Sequence, residues 1–122
     1  MEKALDLVIR GDGITGCALA LALAPLGLRM GLWARPAPAE PRPDVRAYSL
    51  NASARRLLEG LQAWPDAVHV GEVRRMAVWG DDGGDIEFAA DPGQALSWIV
   101  DVPELETLLR ARARSLSQLQ WL

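Results

Sequence analysis

The apolar and polar positions set out a strand–helix–strand opening, then a mixed run of strands and helices. Leu5-Asp6-Leu7-Val8-Ile9 is a short apolar run and predicts a buried strand. Gly11-Asp12-Gly13-Ile14-Thr15-Gly16 follows at once. Cys17 to Leu23 then carries small and apolar residues at helical density, closed by Pro25 and Gly27. Arg29-Met30-Gly31-Leu32-Trp33-Ala34 predicts a second buried strand. A short helix joining two apolar strands makes a βαβ unit with a parallel pair and a right-handed crossover.

Arg35 to Pro43 holds Pro36, Pro38, Pro41 and Pro43. Residues before proline avoid the helical region, so this segment is predicted to be an extended surface loop. Asp44 to Leu50 leads out of it. Asn51 or Ser53 is placed to cap a helix running to about Gln62, with Leu57, Leu58 and Leu61 on one face. Val70 to Trp79 alternates loosely, and Ile86-Glu87-Phe88 resumes after the turn Asp81-Asp82-Gly83-Gly84. Together these predict one antiparallel hairpin. Ala95 to Val100 reads as another strand. Pro103 fits the first turn of a final helix, with Asp101 as N-cap and Leu105, Leu108 and Leu109 as its apolar stripe. Gln118 to Leu122 begins one more strand.

The chain has 122 residues, which bounds it to one domain. A net charge of −3, with no basic run, argues against a nucleic-acid surface. Cys17 is the only cysteine and His69 the only histidine, which excludes an internal disulfide, a cysteine-rich metal site and a well-supplied histidine site. Both are read as structural. The uncharged run Gly13 to Leu28 is broken by Pro25 and lacks a basic leader, so it predicts neither a signal peptide nor a membrane span. A cytoplasmic protein is the resulting expectation. Asp81, Asp82 and Asp85 read as turn residues. Glu104 and Glu106 lie two apart on a helix and do not face each other. Arg55 and Arg56 read as helix surface. The five tryptophans suit either core packing or a surface that meets a partner.

The glycine run carries the chemistry. Strand, G-x-G-x-x-G and helix, in that order, form a dinucleotide-binding fingerprint. Gly11 makes the tight turn, Gly13 lets the backbone approach a diphosphate, and Gly16 lets the helix lie close on the strand. The helix N-terminus offers free N–H groups and a positive dipole end to phosphate.

Further motifs extend the pattern. They are Asp44-Val45-Arg46-Ala47-Tyr48-Ser49-Leu50-Asn51 with Ser53, Leu57, Leu58 and Trp64; Met76-Ala77-Val78-Trp79 before a Gly-Asp turn; and Trp98-Ile99-Val100-Asp101 leading to Leu105 and Leu109. With the glycine run, this combination resembles the N-terminal third of the FAD-dependent aromatic-ring hydroxylases of ubiquinone biosynthesis, which are single-component flavoprotein monooxygenases. The resemblance runs from Leu5 to about Leu109. It implies an α/β fold: a Rossmann-type FAD/NAD(P)-binding βαβ domain with an inserted antiparallel β-hairpin, incomplete relative to the family. Residues 1–122 would form a partial FAD-binding domain, and 70–100 would supply strands of the substrate-side sheet. It implies FAD contacts from Gly11, Gly13, Ile14, Gly16 and Arg46, with no catalytic residue and no metal. It also implies NAD(P)H as reductant, an aromatic or quinol-precursor substrate, and room for peripheral membrane or multi-subunit association.

The sequence departs from that family at defined places. Ala34 stands where a carboxylate would grip the adenosine ribose, and Glu40 lies beyond two prolines. Asp12 sits inside the glycine loop, facing either the diphosphate or solvent. Val102-Pro103 replaces a usual Asn-Arg. The chain ends before the family's later Asp-Gly and Gly-Asp motifs, so the portion is expected to be inactive alone. Two alternatives stay open. One is an NADP-binding module, in which Arg35 beside Ala34 takes a 2′-phosphate. The other is a non-catalytic remnant that acts through a partner.

Overall fold

The computed structural model describes residues 3–122. β1 (Leu7–Arg10), α1 (Ile14–Leu23) and β2 (Met30–Trp33) form the opening βαβ unit. The two strands are parallel, in register from Leu7 opposite Met30 to Arg10 opposite Trp33. Side chains alternate along a strand, so Leu7, Ile9, Met30 and Leu32 share one face. That face is the core, and Met30 and Leu32 have no exposed surface. The last strand, β8 (Leu119–Trp121), adds to β2 in parallel and gives the sheet order β1-β2-β8.

The segment between β2 and β8 supplies a second sheet, a ribbon and two helices. It comprises β3 (Ala47–Leu50), α2 (Ala52–Gly60), β4 (Val70–Val73), β5 (Arg75–Trp79), β6 (Asp85–Ala89), β7 (Ser97–Asp101) and α3 (Val102–Arg114). β3 and β4 flank β7 in an antiparallel sheet, while β5 and β6 form a separate two-stranded ribbon. The expected antiparallel hairpin is present as β5–β6, but its first arm is shorter than the sequence suggests. The run Val70 to Trp79 is two strands, divided at Arg74. Adjacent carbonyls point to opposite sides of an extended chain. The Val73 carbonyl accepts from the Leu96 N–H at 2.7 Å, and the Arg74 carbonyl accepts from Ala90 at 2.8 Å. The chain thus passes from one ladder to the other within two residues. Asp81 to Gly84 form the turn between β5 and β6, with Gly83 at φ +84°.

α3 joins the two sheets. Its buried residues Val102, Leu105, Leu109 and Ala113 recur at helical spacing and make one apolar stripe. The stripe packs with the small buried residues Cys17 and Ala20 of α1, and Trp98 and Val100 of β7 and Leu58 of α2 extend the same cluster. The Asn51 side chain caps α2, accepting from the Ala54 N–H at 2.9 Å. Asp101 stands at the N-cap of α3 but makes no capping bond; its carboxylate meets His69 Nδ1 at 3.0 Å instead.

The tryptophans divide between packed and exposed positions. Trp98 is buried and meets Trp64 edge to face, with centroids 6.2 Å apart. The Arg55 guanidinium lies 5.0 and 4.7 Å from those two rings, so Arg55 packs against aromatics rather than standing free on the helix surface. Trp33 and Trp79 are exposed. The β5–β6 ribbon is exposed throughout, with Met76 opposite Phe88 and Val78 opposite Ile86 on one face.

Truncation of the α3 stripe tests this packing. Leu105→Ala is expected to lower unfolding free energy by about 2–5 kcal/mol in urea titration, because the site is fully buried. Leu57→Ala on the exposed side of α2 is expected to cost less than about 1 kcal/mol.

Candidate functional site

The turn from β1 into α1 is fixed from both ends. The Gly11 N–H donates to the Trp33 carbonyl at 2.9 Å, tying the turn to the end of β2. Gly11 has φ +114°, a conformation that side chains disfavour. A Cβ on Gly16 would overlap the Gly11 carbonyl oxygen and lie 2.9 Å from its carbon. Gly16 is thus what allows helix and turn to touch.

Gly13 differs from both. It is the N-cap of α1, at φ −76° and ψ −169°, a conformation open to any residue. A Cβ there would meet nothing within 4 Å. Neither backbone angle nor space demands glycine at this position, and its one local merit is that glycine is a tolerated N-cap. No side chain caps α1, and its first turn has no acidic residue. The Cys17 N–H closes the first helical bond, to the Gly13 carbonyl at 3.0 Å. The amides ahead of it, starting with Ile14, lie outside the helical ladder.

Beside the turn, at the carboxyl ends of β1 and β2, lies a cleft of about 500 Å³ lined by Arg10, Gly11, Trp33, Ala34, Arg35 and Pro36. Open α/β sheets bind ligands at such strand ends. The lining includes two cations and an aromatic ring and has no carboxylate, with the Arg10 guanidinium 5.4 Å from the Trp33 ring centroid. Arg10 and Trp33 were not singled out by sequence. The signal was present, since an arginine directly precedes the first glycine of the loop.

Asp12 takes neither of the two expected orientations. Its carboxylate is turned sideways, with Oδ2 3.3 Å from Arg110 Nε of α3 and Oδ1 accepting from the Arg35 N–H at 3.4 Å. It is not among the residues lining the cleft. Its carbonyl accepts from Arg110 Nε at 3.1 Å and from the Cys17 thiol at 3.3 Å. Cys17 has no exposed surface, and burial pushes its thiol above the ordinary value, against the pull of Arg110. It is a structural thiol, as its sequence context implied.

Arg46 lies away from this cleft. Its guanidinium holds Asp44 with two bonds, Nε to Oδ1 at 2.9 Å and Nη2 to Oδ2 at 2.7 Å, and reaches Glu106 at 3.3 Å. With Asp44, His69, Asp101, Glu104 and Thr107 it lines a second cleft of about 320 Å³ at the start of α3. Arg46 donates to Asp44 from its side chain and its backbone N–H, which holds the Asp44 carboxyl down at about 2 and raises Arg46 above its ordinary value. Glu106 also approaches Arg110, at 3.6 Å. Asp44, Arg46, Glu106, Arg110 and Asp12 therefore alternate in sign from the second cleft to the glycine turn. Arg46 and the glycine turn occupy the two ends of one ionic network. Among the described residues, no helix is long and apolar enough to cross a membrane.

No protein-family model matches the chain, and no curated protein does. Solved structures do. PqsL of Pseudomonas aeruginosa, in complex with 2-aminobenzoylacetate, aligns with a TM-score of 0.73 at 17% identity, over 97% of this chain and 33% of that one. The p-nitrophenol 4-monooxygenase PnpA of Pseudomonas putida aligns at 0.70 and 16%, over 100% and 32%. A geranylgeranyl bacteriochlorophyll reductase-like protein of Thermoplasma acidophilum aligns at 0.68 and 18%, over 96% and 29%. The chain thus has the mixed α/β fold of the N-terminal part of FAD-binding monooxygenases, and spans about a third of the length of the structures it matches.

The Asp44–Arg46 pair gives a pH prediction. The Asp44 carboxyl is held below its ordinary value, so the pair is complete above about pH 4 and is lost as pH falls through about 2. An NMR titration of the Asp44 side chain is expected to show a midpoint near 2 in the native protein, returning to the ordinary value in Arg46→Ala.

Proposed function

We propose that the chain is the FAD-binding N-terminal portion of an aromatic-ring monooxygenase, of the kind used in ubiquinone biosynthesis, and that it is inactive alone. The observation that carries this reading is the contrast among the loop glycines. Gly11 and Gly16 are demanded by backbone angle and by contact, whereas Gly13 is demanded by neither. A bare N-cap beside free helix amides fits close approach of a diphosphate. In this reading Gly11, Gly13, Ile14 and Gly16 hold the FAD diphosphate, and Arg35 stands at the rim of the adenosine end. Arg46 meets the cofactor from the second cleft, exchanging part of its hold on Asp44 and Glu106 for that contact.

FAD supplies the redox chemistry, with NAD(P)H as reductant. The chain's own part is to seat and orient it. Residues 70–100 contribute to the side facing an aromatic or quinol-precursor substrate. Solved neighbours support the class: PqsL is seen with 2-aminobenzoylacetate, and PnpA is named for p-nitrophenol. A neighbour named as reductase-like shares the fold as well. The protein works in the cytoplasm or at a membrane periphery, joined to the remaining parts of the monooxygenase fold.

A second reading is favoured by one observation. The cleft at the strand ends has Arg10 and Arg35 and no carboxylate at Ala34, a lining that suits a ribose phosphate. An NADP-binding module predicts that NADPH binds tenfold or more tighter than NADH, with the difference abolished by Arg35→Ala. Equal binding of the two removes that reading.

The first reading is tested by fluorescence titration with FAD. Gly13→Ala is expected to weaken binding by one to two decades, the equivalent of about 1.5–3 kcal/mol for a displaced charged hydrogen bond. Its melting temperature is expected to fall only slightly, since the added methyl meets open space and alanine is a poorer N-cap than glycine. Undiminished affinity in Gly13→Ala contradicts the reading, as does a wild-type chain that takes up no FAD.

A further inference from the structure

We infer that Arg110 is a positioning residue for the diphosphate seat: it fixes the Asp12–Gly13 peptide and neutralises the Asp12 carboxylate. The inference rests on the FAD reading and concerns residues that reading leaves out. A carboxylate between the first two glycines of a phosphate-binding loop is a like charge beside a dianion. Arg110, which lies 98 residues further along the chain, answers it from α3. One nitrogen, Nε, is 3.1 Å from the Asp12 carbonyl and 3.3 Å from its carboxylate.

The carbonyl contact has a directional consequence. In a trans peptide the C=O and the following N–H point in opposite directions. No cis bond occurs among the described residues. Arg110 and the Cys17 thiol both donate to the Asp12 carbonyl. With that oxygen anchored toward α3 and the buried side of α1, the Gly13 N–H points away from them. The amide that a diphosphate would use is thus aimed by two side chains that never touch the ligand. Glu106, 3.6 Å from Arg110 Nη2 and 3.3 Å from Arg46, holds the guanidinium from its other end. The charge on Asp12 is drawn off the cleft by the same contacts, with the Arg35 N–H taking its second oxygen.

The test uses FAD affinity and apo melting temperature in wild type, Asp12→Asn, Arg110→Met and the double variant. Arg110→Met is expected to weaken FAD about tenfold or more, the scale of a lost charge-assisted interaction. The double variant is expected to recover much of that loss, because the exposed charge has gone. A merely structural role for Arg110 would show no such recovery. Asp12→Asn alone is expected to bind FAD no more than about threefold more tightly than wild type, with its apo melting temperature read alongside. An Arg110→Met affinity equal to wild type overturns the inference and leaves the FAD reading standing. So does a tenfold tightening in Asp12→Asn, which would mean the charge was never neutralised. A wild-type chain that binds no FAD overturns both.

Discussion

The contact between Gly16 and the Gly11 carbonyl is the constraint on which the rest depends. There is no room at Gly16 for a methyl group, so α1 begins in direct contact with the turn that leaves β1. That closeness sets the depth of α1 over β1 and β2. It also brings Cys17 beneath the Asp12 carbonyl, and lets the small residues Cys17 and Ala20 meet the α3 stripe. The same contact leaves the amides at the start of α1 beside the strand ends, where the cleft opens. Packing and site share one geometric requirement, and each explains a different glycine of the same loop.

α3 has an equally double role. Its apolar stripe closes the core between the two sheets, and its polar side carries Glu106 and Arg110. Those two residues join the Asp44–Arg46 pair to the glycine turn. Surface ion pairs add little stability each, so the network is better understood as geometry than as energy. It sets where Arg46 rests and where the Asp12 charge points.

Some of this was legible in the sequence and some was not. β1, α1 and β2 could be read because an apolar run, a glycine loop and a small-residue helix leave few alternatives at that length. Asn51, one of two cap candidates, and Leu105 and Leu109 of the α3 stripe could be read for the same reason, since both are local patterns, whereas Leu108 is only partly buried and Val102 and Ala113 complete the stripe. The division at Arg74 could not. Alternation shows that a segment is extended, but not which strand it pairs with, and here successive carbonyls serve different ladders. The loop position of Asp12 was visible, but its partner lies far along the chain on another element. Arg10 and Trp33 were visible as residues. Their place together at one cleft depends on the register of β1 against β2. Arg55 was misplaced because its aromatic neighbours come from a loop and a distant strand.

Presentation of bare amides to a diphosphate by the Gly11–Gly16 turn is the proposal on which the FAD reading stands. It is tested most directly by following the backbone amide resonances of the labelled chain while FAD is added. The largest shifts are expected at Gly13, Ile14 and Thr15, with smaller ones around Arg35 and Arg46. Saturable binding that leaves those amides unmoved, with shifts confined to the β5–β6 ribbon or elsewhere, would contradict it.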